Sequence, residues 1–559
     1  MAIRTEVKLL VLYLSVASGI YGVSAAVRCD AGDKAALLEF KNGFLDPGNV
    51  FSTWADRFDC CSWAGVTCSP TGRVVGLKVA APAPQRGLPP TRDPAYQGQV
   101  GASLGNLDQL ASLALYNVFF NGPAPSSLGK LVLLTTLTLG GDNFSGPIPA
   151  SYGELTKLVT VAINSGFEGA IPYELCNWVN VVDVDLSQNS LTGGIPSCLH
   201  RWTSISRLSL GANQLSGEIS QILGALSTLT LLDLSNNKFS GPIPTTLRRL
   251  TNLKFLLIEL NHLSGTIPPV LSQLKQLRSL GLSQNKLVGK IPPELGSLPE
   301  LVYLDLSDNK LMGPIPRELA NLPNLNTLSL LSNRLTGCFP IEFGKIPASR
   351  GLSVDISNNY LSCQLPNNLG NIGSFYANDN FFNGSFPLSL LAANYVDLSS
   401  NRLSSLSPNA TAKNLPGTIT INSLYLGNNH FVGSFPAWLS LLKTLQTLDI
   451  SRNKIEGPLP VTFLELPSLL QANFSRNHFN KMLPTTTFST TQLGILDASY
   501  NKLFGPIPES FVHALKQIFY LDLSYNRLDG MVPADIVKPG MEFLNLAGNK
   551  FTGTVPHVP

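Results

Sequence analysis

The chain has 559 residues, of which 13% are charged, and its formal net charge is +3. It has no basic stripe that would predict nucleic-acid binding and no acidic run that would predict a disordered tail. Its 47 glycines and 40 prolines recur at fixed intervals, which excludes the unpatterned Gly/Pro-rich sequence of disordered segments.

The N-terminus has the features of a secretory signal peptide, predicted over residues 1–25. Arg4 and Lys8 precede an apolar run over residues 9–17, and Ala25 is placed for cleavage. The rival interpretation is an uncleaved membrane anchor, but a span needs about 18 to 20 apolar residues, more than this run provides. We therefore expect a secreted, extracellular protein with no membrane span beyond the signal peptide.

Residues 26–73 do not repeat and are predicted to form a small helical cap. Within the stretch Asp33 to Phe44, apolar residues recur at spacings of three and four, as on the buried face of an amphipathic helix. These residues are Ala36, Leu37, Phe40 and Phe44. Trp54 and Trp63 are expected to add apolar side chains to the core of this cap. Because a repeat array exposes its core at both ends, we expect this cap to cover the start of the repeats.

Residues 74–559 are predicted to form one repeat array of about 20 coils. Between Val184 and Pro340 an asparagine recurs at one constant interval, with no insertion or deletion, and we call these residues ladder asparagines. They are Asn189, Asn213, Asn237, Asn261, Asn285, Asn309 and Asn333. Each unit reads L-x-L-x-x-N-x-L-x-G-x-I-P, which is a leucine-rich repeat.

The repeat predicts the fold. Apolar and polar residues alternate in L-x-L, so each segment is a short strand with one face inward, and inward leucines of successive coils form one core. The ladder asparagine can satisfy buried backbone groups, and the glycine before x-I-P tolerates a special backbone angle. We predict an α/β repeat fold, a right-handed leucine-rich repeat solenoid with a parallel sheet on the concave face.

The register is less regular outside this stretch. In the first coil Val75, Leu77 and Val79 predict a strand, but Pro82 replaces the asparagine and a Pro-rich loop follows over residues 83–97. After Asn333 the steps between ladder asparagines are unequal, and the constant interval returns only after Asn429. The asparagines of this irregular middle are Asn359, Asn380, Asn401 and Asn429. The sequence ends inside a coil, so we predict no C-terminal cap, as expected for either a secreted protein with an open end or a truncated receptor.

Eight cysteines in an exported chain predict disulfides. Four lie before the repeats. The other four lie in two pairs of neighbouring coils, and there we expect disulfides between cysteines that are close in the sequence. They are Cys29, Cys60, Cys61 and Cys68, then Cys176 with Cys198 and Cys338 with Cys363. Zinc is the competing interpretation, but the sequence has no C-x-x-C motif. We predict no metal and no cofactor.

Four N-x-S/T sequons predict glycosylation, at Asn143, Asn383, Asn409 and Asn473. Each is a glycan acceptor if the chain enters the secretory pathway.

The search for catalytic residues finds no nucleophile, zinc or nucleotide motif. Aspartates recur on the solvent side of the strands, where two carboxylates on neighbouring coils could act as acid and base. They are Asp185, Asp233, Asp305, Asp355, Asp397, Asp449, Asp497 and Asp522. They belong to a repeated L-D-L-S-like phrase on an open face that does not exclude water. We predict that the protein is not an enzyme.

Two sets of residues are candidate ligand-binding residues. The residue before each ladder asparagine lies at the rim of the sheet, and in the last coils this column reads Arg452, Arg476, Tyr500 and Tyr525. Guanidinium groups beside phenols suit a carboxylate or sulfate on an extended peptide. In the irregular middle, the concave side is predicted to carry Tyr376, Asp379, Tyr395 and Tyr425. Chance variation of exposed positions is the alternative for both sets, and a glycan on Asn473 would restrict access to Arg476.

The combination of A-L-L-E-F-K at residues 36–41, Trp54, C-C-S-W-A-G-V-T-C at residues 60–68 and G-x-I-P repeats resembles the plant extracellular leucine-rich repeat family. That family includes receptor-like proteins, receptor-like kinase ectodomains and polygalacturonase-inhibiting proteins. The resemblance implies that Cys29 pairs with Cys60 and Cys61 with Cys68.

The resemblance also implies a recognition module that binds a peptide or protein on its concave face, with a co-receptor or a secreted hydrolase as further partners. One alternative is a secreted inhibitor of a pectin-degrading enzyme, although such inhibitors look shorter than this chain. A structural cell-wall protein is an alternative of another class, but it should carry Ser-Pro-rich sequence beyond the repeats, and none is present.

Overall fold

The computed structural model describes residues 28–44, 50–80, 98–116, 120–140, 143–347, 351–369, 372–407, 415–485 and 492–554. The predicted signal peptide, Pro82, the Pro-rich segment 83–97 and Asn409 lie outside these residues.

A continuous sheet runs through the described residues and has 21 strands. Its strands are β1 Val66–Cys68, β2 Val74–Ala80, β3 Ser112–Tyr116, β4 Thr136–Gly140, β5 Thr160–Asn164, β6 Asp183–Asp185, β7 Arg207–Ser209, β8 Leu231–Asp233, β9 Phe255–Leu257, β10 Ser279–Gly281, β11 Tyr303–Asp305, β12 Thr327–Ser329, β13 Leu352–Asp355, β14 Ile372–Tyr376, β15 Tyr395–Asp397, β16 Ser423–Tyr425, β17 Thr447–Asp449, β18 Gln471–Asn473, β19 Ile495–Asp497, β20 Tyr520–Asp522 and β21 Phe543–Asn545. Strand β1 is antiparallel to β2, whereas β2 to β21 pair in parallel and supply one strand per coil. The number of parallel strands equals the number of coils counted in the sequence.

The strands stack because each carries an apolar residue at the same place. Leu208, Leu232 and Leu256 are register partners on successive strands, and all three are fully buried. The inward residues of successive coils join one hydrophobic core that also includes the cap. Neither coil nor cap has a separate core, so the described residues form one solenoid.

Most coils also carry a second short strand after the ladder asparagine, an element that the sequence pattern did not predict. These strands are Asn121–Pro123, Asn143–Ser145, Glu168–Ala170, Ser190–Thr192, Ser216–Glu218, Lys238–Pro242, His262–Ser264, Val288–Gly289, Lys310–Gly313, Arg334–Gly337, Tyr360–Leu361, Asn383–Ser385, Arg402–Ser405, Val432–Ser434, Lys454–Gly457, His478–Phe479, Phe504–Gly505, Arg527–Met531 and Lys550–Thr552. They form small parallel sheets, and the repeated glycine takes a positive φ as expected, for example +74° at Gly241.

Short helical turns complete most coils. The 3-10 turns after β2 are Ala102–Asn106, Ser126–Lys130, Ala150–Glu154, Tyr173–Asn177, Ser197–Arg201, Gln221–Ala225, Thr245–Arg249, Pro269–Gln273, Pro293–Ser297, Arg317–Asn321, Ile341–Lys345, Leu388–Ala392, Ala437–Leu441, Val461–Glu465 and Ala534–Ile536, and one α-helical turn spans Glu509–Ala514. Proline precedes many of them, since its fixed φ suits the entry to a helical turn.

The ladder asparagines act as the sequence predicted. The Nδ2 group of Asn261 donates to the carbonyls of Leu234 (3.0 Å) and Ile258 (3.2 Å), and its Oδ1 accepts from the backbone N–H of Phe239 (2.9 Å). The same three-way pattern recurs at Asn213 and in the other described coils that have this residue. One amide therefore joins neighbouring coils through otherwise unsatisfied backbone groups.

The cap contains helix α1, Ala31–Asn42, which begins and ends two residues before the stretch predicted. It begins there because the Asp30 carboxylate accepts from the backbone N–H groups of Gly32 and Asp33. Of the four residues predicted to be buried, Phe44 lies beyond the helix end and is only partly buried. The indole rings of Trp54 and Trp63 stack in the core, with centroids 5.2 Å apart. Between these two tryptophans in the sequence, residues Cys60–Ser62 form a 3-10 turn.

All eight cysteines form disulfides, in the pairs expected from the resemblance and from neighbouring coils. Cys29 is joined to Cys60, and Cys61 to Cys68, which closes the cap. Cys176–Cys198 and Cys338–Cys363 each link one coil to the next.

The irregular coils after Asn333 do not interrupt the sheet. The ladder from β12 to β17 is continuous, with one register shift between Leu352 and Ser353 where β13 meets β14. The different coil lengths therefore change the connections while the strands stay in line.

Candidate ligand-binding face

The exposed face of the sheet is built from three columns of side chains. In each three-residue strand the middle residue points into the core, so the first and third residues lie on the opposite face, which is open to solvent in most strands but buried at Ser279 and Gly281 of β10. The residue before the ladder asparagine adds a third column at the rim. Residues that lie far apart in sequence therefore become neighbours, one strand apart, within a column.

The aspartates noted in the sequence occupy the last position of their strands and accept hydrogen bonds from the turns that follow. The Oδ1 atom of Asp233 accepts from the backbone N–H of Ser235 (2.9 Å) and from its hydroxyl (2.7 Å). A backbone N–H bond of the same kind is present at Asp185, Asp305, Asp355, Asp397, Asp449, Asp497 and Asp522. Burial raises the pKa of Asp185, Asp355 and Asp397, and the hydrogen bonds from the following serines oppose that shift. Turn formation accounts for the recurrence of these aspartates.

The rim column has a backbone feature that residue types alone did not reveal. Every residue that precedes a ladder asparagine has a positive φ, between +50° and +69°. These residues are Gln188, Ala212, Asn236, Leu260, Gln284, Asp308, Ser332, Asn358, Asp379, Ser400, Asn428, Arg452, Arg476, Tyr500, Tyr525 and Gly548. Left-handed backbone is unfavourable for most side chains, and bulky ones are uncommon there.

Three of the four predicted rim residues in the last coils form one stack. The Arg476 guanidinium lies 4.3 Å from the centroid of the Tyr500 ring, and the rings of Tyr500 and Tyr525 stack with centroids 4.3 Å apart and planes 15° apart. The two tyrosines remain 42% and 52% exposed. The stack ends at Gly548, where an added Cβ would lie 2.8 Å from the Tyr525 ring. Arg452 is exposed at the equivalent position one coil before Arg476. We call Arg476, Tyr500 and Tyr525 the rim stack.

The predicted tyrosines of the irregular middle also come together. The centroids of Tyr376 and Tyr395 are 4.6 Å apart, and those of Tyr395 and Tyr425 are 5.5 Å apart. They lie on β14, β15 and β16, and we call them the tyrosine patch. Burial and the neighbouring Asp397 raise the pKa of Tyr395 to about 12, so its phenol is neutral at physiological pH. Asp379 is at the rim and accepts from the Asn378 amide (2.8 Å).

A third aromatic contact on this face was missed by the sequence analysis. The rings of Tyr520 and Phe543 stack with centroids 4.3 Å apart and planes 9° apart. They occupy the first positions of β20 and β21, which are register partners. An aromatic residue at the first strand position of two successive coils was the available signal.

The sequons differ in their surroundings. We call the second short strand of each coil its second-layer strand. Asn383 is exposed at the start of one of these strands, and Asn143 starts another. Asn473 lies on the exposed face of β18, where its Oδ1 accepts from the backbone and hydroxyl of Ser475. Asn473 is three residues before Arg476 in the same coil, so a glycan there would restrict access to the rim stack.

Family models match both parts of the chain. The leucine rich repeat N-terminal domain matches residues 30–69, which hold α1 and most of the cap, and leucine rich repeat models match residues 228–250, 275–335 and 444–466. The chain therefore carries a leucine rich repeat N-terminal domain followed by leucine-rich repeats. In the part of this leucine-rich repeat protein that the structure describes, no helix has the length and apolar character of a membrane span.

Sequence relatives of this leucine-rich repeat protein include a receptor and an inhibitor. It is 36% identical over 99 residues to receptor-like protein EIX2 of Solanum lycopersicum, a match that covers 17% of this chain and 10% of EIX2. It is 32% identical over 102 residues to polygalacturonase inhibitor 1 of Oryza sativa subsp. japonica, a match that covers 18% of this chain and 27% of that protein. The matched segments thus span a small part of these relatives.

Solved receptor ectodomains share the fold over most of the chain. The ectodomain of GASSHO1/SCHENGEN3 from Arabidopsis thaliana, in complex with CASPARIAN STRIP INTEGRITY FACTOR 2, superimposes with a TM-score of 0.79 at 32% identity over 92% of this chain and 62% of that chain. The Arabidopsis receptor kinase HAESA, in complex with the peptide hormone IDA and the co-receptor SERK1, gives 0.74 at 29% identity over 94% and 91%. The chain therefore has the fold of plant receptor ectodomains.

Proposed function

We propose that this protein is an extracellular recognition module that binds an extended peptide, or a protein segment, on the exposed face of its parallel sheet. One observation carries the proposal: the aromatic side chains of adjacent coils stack on one another at the surface, in the rim stack and in the tyrosine patch. Aromatic side chains on exposed surfaces are common anchors of binding interfaces. The peptide-bound ectodomain of HAESA, which has the same fold, supports the proposal.

The rim stack suits an acidic group of the ligand. The Arg476 guanidinium lies 4.3 Å from the centroid of the Tyr500 ring, and the residue is exposed, so a ligand can reach its N–H groups. A carboxylate or sulfate can accept two of these N–H groups at once, which gives a short and strong contact. Arg452, exposed one coil earlier, would add a second cation to the same site.

A displayed library of random 12-residue peptides tests the proposal on the purified protein. We expect peptides to be enriched, and we expect Arg476→Ala and Tyr500→Ala, each or together, to reduce their binding by about tenfold or more. Phe504→Ala is a matched control, because Phe504 is in the same coil and 44% exposed but lies in the second-layer strand. Enriched peptides that bind equally well to both face variants would contradict the rim stack as a site, and no enrichment would contradict peptide binding.

Inhibition of a pectin-degrading enzyme is the second candidate function, favoured by the similarity to polygalacturonase inhibitor 1. A secreted polygalacturonase assayed with and without the protein distinguishes the two. Inhibition that is lost in the Tyr500→Ala variant would favour the inhibitor, whereas unchanged enzyme activity would leave recognition of peptides as the function.

A further inference from the structure

The tyrosine patch is surrounded by carboxylates in a regular order. Asp355, Tyr376, Asp397, Tyr425 and Asp449 are register partners at the last positions of five successive strands, β13 to β17. Acid and phenol therefore alternate along one column. Tyr395 lies in the neighbouring first column and packs against both of the other tyrosines.

Strands β13 to β17, all within the described residues, carry no basic side chain that would offset these carboxylates. Their solvent-facing positions, and the rim residues between Asp355 and Asp449, include no lysine or arginine, and the first rim cation beyond them is Arg452. Asp379 adds a further carboxylate at the rim. By contrast, Asp183 on β6 forms a salt bridge with Arg207 on the adjacent strand. The patch thus combines aromatic side chains with negative charge, which no basic residue on the strand or at the rim of the same coil offsets at Asp355 and Asp397, whereas Arg452 lies at the rim of the coil of Asp449.

This combination selects for one class of ligand group. The face of a tyrosine ring attracts a cation through its quadrupole, and a nearby carboxylate adds a charge-assisted hydrogen bond. An anionic group would meet repulsion from the aspartates, and a purely apolar group would offer no hydrogen bond to the Oδ2 atoms of Asp355 and Asp397, whose Oδ1 atoms already accept from the following serines. A guanidinium or ammonium group can interact both with the tyrosine rings and with the aspartate carboxylates.

We propose that Tyr376, Tyr395 and Tyr425, with Asp355, Asp397 and Asp449, form a binding site for an arginine or lysine side chain of the ligand. This inference rests on the proposed function, since it assigns one site to the ligand of the same face. It gives that face two sites of opposite preference, a cation site in the irregular middle and the anion-binding rim stack near the last coils.

The charge of the site can be removed while its turns are kept. Asn473 shows how, because it occupies the same column one strand beyond Asp449 and its Oδ1 makes the same bonds to Ser475, at 3.1 and 2.7 Å. Asp355→Asn and Asp397→Asn should therefore fold like the wild type, with an unchanged thermal midpoint. Asp497→Asn is the matched control: it has the same column and the same turn but lies on β19, outside the tyrosine patch.

The random 12-residue library is the probe, selected in parallel on the wild type and on the Asp355→Asn, Asp397→Asn double variant. We expect wild-type selection to enrich peptides with arginine or lysine, and we expect these peptides to bind the double variant about tenfold more weakly but the Asp497→Asn control normally. Replacement of the enriched arginine by citrulline should give a similar loss. Tyr395→Leu should weaken the same peptides.

The outcomes separate this inference from the proposed function. Peptides that depend on the rim stack but show no preference for basic residues would overturn the cation site and leave peptide binding intact. Basic peptides that bind the double variant as well as the wild type would also overturn it. A library from which no peptide is enriched on this face would overturn both.

Discussion

At the scale of single residues, the ladder asparagine joins neighbouring coils through polar contacts that no leucine can make. Its amide is buried among backbone groups, and each of its polar atoms has a partner: in Asn261 these are Leu234 and Ile258 as acceptors and Phe239 as a donor. Aspartate at this position would lack the donors, and glutamine would be one methylene too long. The geometry of these hydrogen bonds therefore requires asparagine at this position, and its regular recurrence is what reveals the repeat in the sequence.

We predict that Asn261→Ala destabilises the protein strongly. The substitution removes the partner of several buried backbone groups, each at a cost of about 1–3 kcal/mol. The Phe239 amide should exchange with deuterium much faster than in the wild type, as measured by hydrogen-exchange mass spectrometry. Asn252→Ala is the control, since the exposed Asn252 makes a single bond to the Ser227 carbonyl and should change stability by less than about 1 kcal/mol. Unchanged exchange at Phe239 would contradict the role of the ladder.

The positive φ of the rim column gives a second prediction at this scale. Gln284 is exposed and has a φ of +53°, so Gln284→Val should lower stability by about 1–2 kcal/mol, whereas Gln284→Gly should be neutral or slightly stabilising. The nearby exposed Lys286 donates its backbone N–H to the Leu263 carbonyl next to the second-layer strand, and there we expect the opposite order, with glycine worse than valine. Thermal midpoints of the four variants test this, and the same order at both positions would contradict it.

At the scale of elements, the cap is fixed to the sheet by a charge that the sequence analysis did not single out. Asp33 is buried in α1 and accepts from the Arg73 guanidinium, with Nε 3.0 Å from Oδ2, and from the backbone N–H of Val74 (2.8 Å) at the start of β2. The helix pattern identified the apolar face of α1 but could not show which polar residue turns inward. The Asp33–Arg73 ion pair forms because the segment that follows the Cys61–Cys68 disulfide brings Arg73 next to α1, and this path is not visible in the sequence pattern.

We predict that Asp33→Asn loosens the cap. The substitution removes one charge of a largely buried pair and leaves the Arg73 guanidinium without its main partner, at a cost of about 3 kcal/mol. Lys34→Gln is the matched control on the same helix, because its salt bridge to the exposed Asp56 should contribute less than about 1 kcal/mol. Hydrogen-exchange mass spectrometry of the cap peptides that contain Trp54 and Trp63 would report on the cap, whereas tryptophan fluorescence would also report on the three tryptophans of the repeats. Equal effects of the two substitutions would contradict this assignment.

At the scale of the whole molecule, the sequence predicted what depends on periodicity and missed what depends on conformation or on cross-coil register. The parallel strands and the core follow from leucines that recur at a constant interval. The positive φ of the rim could not be predicted, because residues as different as Leu260 and Arg476 share it. The alternation of Asp and Tyr was hidden because Tyr376, Tyr395 and Tyr425 are unevenly spaced in the sequence. Only the register of the irregular coils puts them side by side.

The two proposed sites on one sheet give a prediction about ligand length. Tyr395 on β15 and Arg476 after β18 are three strands apart, which is about 14 Å at about 4.8 Å per strand. An extended peptide covers that distance with about four residues, at about 3.3 Å each. Among synthetic 12-residue peptides with one lysine and one glutamate in an alanine and serine background, we expect affinity to peak when the two charges are about four residues apart. Peptides with adjacent charges can satisfy only one site at a time, so they should bind about tenfold more weakly. Arg476→Ala should remove the dependence on spacing while the preference for lysine remains, and a wild-type affinity that does not vary with spacing would show that one ligand does not bridge the two sites.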